Sequence, residues 1–103
     1  MWAQLSSVRV RDGKADVVSK AMEQLRDFEQ PGSGLLRTMV MQDQKDPARV
    51  LVLVVFESEE QARSRESHPR REEGVQQLRA SLVEALDAAP EYTDLDVIVD
   101  LVP

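Results

Sequence analysis

Residues Val50 to Phe56 read VLVLVVF, seven apolar residues in succession. A strand with one wet face alternates apolar and polar side chains, whereas a strand covered on both faces is apolar throughout. The run is far shorter than the roughly 20 apolar residues that a membrane-spanning helix needs. Its β-branched composition suits a strand. Working outward, Ser58, Glu59, Glu60 and Gln61 match the S-x-x-Q capping box, so a helix begins directly after the strand. In such a box the Ser hydroxyl and the Gln side chain satisfy free backbone amides. Upstream, the polar loop Asp43 to Ala48 has the length of a hairpin connection to a second strand, Leu35 to Gln42.

The remaining elements follow from periodicity. Trp2 to Arg11 reads as a strand, with Val8 and Val10 alternating against Arg9 and Arg11, and Asp12-Gly13 turns the chain. From Ala15 the period changes, with Val18, Met22, Leu25 and Phe28 on one helical stripe. Pro31-Gly32-Ser33-Gly34 ends that helix. Pro69 interrupts the helix that starts at Ser58, and Val75, Leu78, Leu82 and Leu86 mark a longer amphipathic helix after it. Leu95, Val97, Val99 and Leu101 alternate with Asp94, Asp96 and Asp100, which predicts a last strand with one wet face. The order is β-α-β-β-α-β, a ferredoxin-like α+β arrangement with a four-stranded antiparallel sheet and both helical layers on one face. One domain over residues 1–103 is expected.

Composition narrows the function classes. The net charge is -6 and the pI near 4.7, which argues against nucleic acid as a partner, because phosphate-backbone affinity comes from clustered cations. The local exception is the segment after Ser58, which carries Arg63, Arg65, His68, Arg70 and Arg71 interleaved with Glu66, Glu72 and Glu73. A charge run of this kind reads first as a solvated helix face, and second as the lid of a pocket. With no Cys and one His, no metal site and no bound cofactor are expected. Met-Trp-Ala-Gln-Leu lacks the regions of a signal peptide, so a cytoplasmic protein with no membrane contact is expected. The helices can cover one sheet face only, yet Val50 to Phe56 is apolar on both. A second copy packed sheet to sheet is the expected cover, making a homodimer.

Three stretches carry a family resemblance: VRVRDGKADVV at residues 8–18, PGSGLLRTMVMQDQKDPARVLVLVVFESEEQA at residues 31–62, and His68-Pro69. Together they resemble the dimeric α+β barrel superfamily, in particular antibiotic biosynthesis monooxygenase-like domains. The resemblance implies a pocket between the helices and the sheet. By strand period, Gln4 and Ser6 point into it with Val8 and Val10, and Trp2 shares their parity. Haem-degrading relatives use an Asn, a Trp and an iron-binding His; the matching places here fall nearest Ser6, near Arg65 or Glu66, and near Gly74, so haem degradation is not expected. Where some monooxygenase relatives close the third strand with Trp, this chain has Phe56.

Two functions are carried forward. One is a cofactor-independent oxygenase for a small aromatic or polyketide-type molecule, which needs an apolar pocket, an acid or base, and a donor for a developing oxyanion. Its candidate residues are His68 as catalytic acid or base, with Gln4, Ser6, Phe56, Arg63 and Arg65 binding substrate. His68 precedes Pro69, which pushes it out of helical geometry at the break between two helices. The alternative is a non-catalytic dimeric barrel that binds a small ligand or serves in assembly.

Overall fold

In the computed structural model, which describes residues 1–103, the apolar run lies within strand β3 (Arg49–Phe56) at the middle of a four-stranded antiparallel sheet. Its neighbours are β2 (Leu35–Gln42) and β1 (Trp2–Arg9), and β4 (Glu91–Asp96) completes the order β2-β3-β1-β4. Helices α1 (Ala15–Leu25), α2 (Glu59–Glu66) and α3 (Pro69–Ala85) give the ferredoxin-like α+β fold. α1 continues into a 3-10 turn over Arg26–Phe28, so Phe28 lies just beyond the regular helix.

Register fixes which side chains share a face. Trp2 pairs with Phe56, Gln4 with Val54, Ser6 with Val52 and Val8 with Val50. This parity packs under the helices: Val8, Val10, Val50 and Val52 cluster with Val18 of α1, while Trp2 and Phe56 cluster with Ala62 of α2. The opposite parity brings Met39, Leu53 and Leu5 into one row, with Met41 beside Leu51 and Arg37 beside Val55. That second face has no covering element within the chain.

Local chemistry explains the element ends. Asp43 Oδ1 accepts from the backbone N–H groups of Lys45 and Asp46 at 2.8 and 3.3 Å, closing the β2–β3 loop. The Ser58 hydroxyl caps α2 by accepting from the Gln61 backbone at 3.2 Å. The other half of the capping box differs from expectation. Gln61 Oε1 accepts from the Ser58 hydroxyl at 2.9 Å, and the Gln61 amide donates to Glu57, leaving the Ser58 backbone out of the exchange.

The last strand also differs. The alternation from Leu95 to Leu101 predicts a strand there, but β4 starts at Glu91 and stops at Asp96. Its extent follows its partner: Asp96 pairs with Trp2, the first residue of β1, and Val97 donates to the Met1 carbonyl. Ile98 and Leu101 are consequently 91% and 85% exposed in the single chain.

Two glycines are required by close approach. Gly34 holds φ +81°, and a Cβ there would sit 2.7 Å from the Gln61 side chain. Gly74 lies inside α3, where a Cβ would sit 2.6 Å from Phe28 Cγ and 3.1 Å from Phe28 Cβ. Those Phe28 atoms lie close to their own backbone and cannot swing aside. Gly74→Ala gains about 1 kcal/mol of helix propensity but overpacks this contact at a cost of about 1–3 kcal/mol. A net loss of about 1 kcal/mol is expected in urea unfolding; an unchanged or raised midpoint would show that α3 shifts freely away from the 3-10 turn.

Candidate functional site

The helix-facing side of β1 reads Trp2, Gln4, Ser6, Val8, with two polar residues between two apolar ones. The core divides at the same point. One cluster gathers around Val8 and Val50 under α1, the other around Trp2 and Phe56 under α2. A buried hydroxyl or amide without a partner is costly, so neither cluster closes over Gln4 and Ser6. The result is a cavity of about 190 Å³ between sheet and helices, walled by Gln4, Ser6, Phe56, Met22, Leu82 and Arg71 among others. Trp2 and Phe56 form its aromatic end, with ring centroids 6.1 Å apart and planes tilted by 51°.

The arginines after Ser58 stack on this aromatic end. The Arg63 guanidinium lies 5.0 Å from the Trp2 ring centre, and Arg65 lies 5.3 Å from that of Phe56. Arg70 lies 4.5 Å from the ring centre of Phe28. The run is a solvated face in part, since Arg63, His68 and Arg70 are exposed, but three of its cations also lie over aromatic rings, each such contact contributing about 0.5–1 kcal/mol where exposed. Arg63 also reaches Glu59, Glu66 and Asp94, the last at 2.8 Å. Gln4 donates to Asp94 at 3.0 Å, and this bond, followed by that from Arg63, holds the Asp94 carboxyl below its ordinary range.

Arg65 is held more firmly. Its Nε and Nη2 donate to Glu29 at 2.7–3.0 Å, with side chains only 13% and 20% exposed. Burial alone pushes the Glu29 carboxyl up, but the Arg65 hydrogen bonds and charge outweigh it and bring the group below its ordinary value. The pair ties α2 to the segment after the 3-10 turn.

The structure brings Gln4, Ser6, Phe56 and Arg65 together around one cavity. It places Arg63 over the outer side of Trp2, off the cavity wall, with its charge shared among three carboxylates. His68 stands at the break between α2 and α3, as its position before Pro69 predicts, with extended backbone at φ -71° and ψ 128°. It is exposed, and its Nδ1 accepts from the Arg70 backbone at 3.1 Å as the N-cap of α3. The hollow beside it, about 250 Å³ and mostly polar, is separated from the inner cavity by Arg65 and Arg71, which line both.

Arg71 is the site residue that sequence reasoning passed over. Its Nε is buried and has no hydrogen-bond partner. Burial first, and then the charge of Arg65, push the guanidinium down from its ordinary value. The signal lay in the period: Val75, Leu78 and Leu82 form the inward stripe of α3, and one turn earlier that stripe falls on Arg71. Nowhere do three or more His, Cys, Asp or Glu side chains gather closely enough to hold a metal ion. No helix is long and apolar enough to cross a membrane.

Comparison with known proteins gives a consistent result. The family model described as antibiotic biosynthesis monooxygenase matches residues 1–77. Among solved structures, a putative antibiotic biosynthesis monooxygenase from Nitrosomonas europaea superposes with TM-score 0.74 at 13% identity, covering 96% of this chain and 100% of that one. One from Chloroflexus aurantiacus gives 0.71 at 22% identity, covering 97% and 95%. A variant of SnoaB, a cofactor-independent oxygenase from Streptomyces nogalater, gives 0.72 at 16% identity, covering 97% and 95%. At these identities the likeness speaks for the fold alone. No curated protein matches the sequence.

The Glu29–Arg65 pair yields a test. Removing one partner of a half-buried pair leaves the other uncompensated, here beside Arg71. Glu29→Gln is expected to cost about 1–3 kcal/mol in urea unfolding at pH 7. Because the folded carboxyl titrates below its unfolded value, its contribution is complete above about pH 4.3 and fades as pH falls through the lower folded value. Wild type and variant should therefore converge as pH falls below the lowered folded value of the Glu29 carboxyl. A constant gap across that range would mean that the Glu29 charge does not act in the folded state.

Proposed function

The chain belongs to the antibiotic biosynthesis monooxygenase family, and from that membership we propose that it is a cofactor-independent monooxygenase acting on a small aromatic or polyketide-type molecule. The observation that carries the reading is the cavity itself: apolar on most sides, closed at one end by Trp2 and Phe56, and polar at Gln4 and Ser6. An electron-rich phenol or enol, once deprotonated, gives electrons to O2 directly. A ring C–H, which is a CH2 in the keto tautomer, then becomes C=O, and the second oxygen atom leaves as water. Such chemistry asks the protein for a dry planar slot and donors near the developing oxyanion. Phe56 supplies a planar wall. Gln4 gives one amide hydrogen to Asp94 and retains a second donor and its carbonyl; Ser6 adds a hydroxyl.

Acid–base work in this reading falls to the substrate's own acidity, since His68 spends Nδ1 on capping α3 outside the cavity. His68→Ala should cost about 1 kcal/mol of stability, as a lost cap does, with less than about threefold change in kcat. A loss of about a hundredfold would return the imidazole to the chemistry.

The second sheet face supports a homodimer as the working form. Leu5, Met39, Met41, Leu51, Leu53 and Val55 share it by register, and Ile98, Val99, Leu101 and Val102 after β4 are exposed in the single chain. Only twelve of 103 residues are buried in one chain, which leaves the apolar content of β3 half covered. A self-complementary sheet-to-sheet contact would cover the rest.

Oxygen uptake with a dihydroxynaphthalene, without added metal or flavin, tests the activity. Uptake above autoxidation is expected, together with its loss in Ser6→Leu, which fills the cavity. Uptake equal to autoxidation, or unaffected by Ser6→Leu, would leave a binding barrel without this chemistry.

A further inference from the structure

Arg71 is the one arginine of its run that lines the inner cavity without a carboxylate in direct contact, Glu29 and Glu66 acting on it only at longer range. Arg63 meets Glu59, Glu66 and Asp94, Arg70 meets Glu73, and Arg65 is held by Glu29 through three short contacts. Arg71 has no ion pair, and its Nε is sealed from solvent without an acceptor. A desolvated, unpaired guanidinium is costly, and the cost is recovered when an anionic oxygen reaches it, because charge-assisted contacts strengthen where water is excluded.

Arg71 also stands where three spaces meet. It lines the inner cavity of about 190 Å³, the polar hollow beside His68, and an outer cleft of about 540 Å³ between α1 and β2. Met22, Val54 and Arg65 are likewise common to the inner cavity and the outer cleft. The cleft lining is more polar, with Ser19, Glu23, Arg26 and Thr38 among its residues, whereas the inner cavity is mostly apolar. An apolar cavity of about 150 Å³ takes a benzene ring, so the inner space suits one ring or a fused pair; a larger molecule has to continue into the cleft.

We infer that the ligand is a planar aromatic carrying an anionic oxygen: its one- or two-ring end fills the inner cavity, the oxygen is held by Arg71, and the molecule enters through the α1–β2 cleft. This deepens the oxygenase reading and rests on the same cavity, while making its own demand on the ligand. A phenolate or enolate and a carboxylate share the required chemistry. Arg71 is here a binding residue that selects for charge; holding a phenolate would also favour deprotonation of a phenol as it binds.

The test is calorimetric titration of the full chain with 2-naphthoate, 2-naphthol and the neutral 2-naphthalenemethanol, repeated with Arg71→Gln and Arg71→Lys. At pH 7 at least one of the two ionisable ligands should bind about tenfold or more tightly than the alcohol, as a charge-assisted contact implies. Tighter naphthol binding with proton release, seen in buffers of different ionisation enthalpy, marks a phenolate site; tighter naphthoate binding marks a carboxylate site. Arg71→Gln should bring all three ligands within about twofold, and Arg71→Lys should keep part of the preference. Arg71→Gln removes a half-buried charge that has no carboxylate in direct contact and is expected to fold; circular dichroism checks this, and Arg71→Lys carries the comparison otherwise. Equal binding of neutral and anionic ligands, binding of none, or a preference that survives Arg71→Gln overturns the inference. Oxygen uptake without the charge preference would sink this inference and spare the oxygenase reading. The preference without oxygen uptake would do the reverse.

Discussion

The structure depends on β3 being apolar on both faces and paired on both sides. Its position between β1 and β2 places Val50, Val52 and Phe56 under the helices and Leu51, Leu53 and Val55 on the opposite side. Since β1 is read against β3 residue by residue, this pairing also decides that Gln4 and Ser6 face inward. A slip of one residue would turn them out and bury Arg9 and Ser7 instead. The cavity, its aromatic end and the open second face are all consequences of that single register.

The polar pair on β1 then shapes what the helices can do. A fully apolar strand would let α1, α2 and α3 close over one continuous core. With Gln4 and Ser6 in the middle, the core separates into a valine-rich end and an aromatic end, with space between. The short helix α2 contributes little apolar surface, only Ala62 being buried. Its arginines cover the aromatic end with their flat guanidinium faces while their charges meet carboxylates at the rim. The cations after Ser58 are thus a cover with a polar outside; Arg65 and Arg71 line the cavity, and of the two Arg71 has no carboxylate in direct contact.

Features set by periodicity were legible in the sequence. Strands β1 to β3, the helix start at Ser58, the break at His68-Pro69 and the inward parity of Trp2, Gln4 and Ser6 all follow from local rules. What escaped was set by partners. The end of β4 depends on where β1 begins, which the alternation from Leu95 to Leu101 does not contain. The pairing of Arg65 with Glu29 spans 36 positions, and the stacking of Arg63 on Trp2 depends on how α2 crosses the sheet. Arg71 was legible in principle, since it occupies an inward position of the α3 stripe, but it reads as surface when grouped with its charged neighbours. His68 drew notice as the lone imidazole; its place as a helix cap follows from backbone geometry at Pro69.

The central claim is that both faces of β3 are covered, one by the helices of its own chain and the other by a second copy. Light scattering coupled to gel filtration at micromolar concentration measures this directly. The account predicts a mass of about twice 11.6 kDa. A monodisperse species at the single-chain mass would contradict it, and would leave the apolar row of Leu5, Leu53 and Met39 open to water.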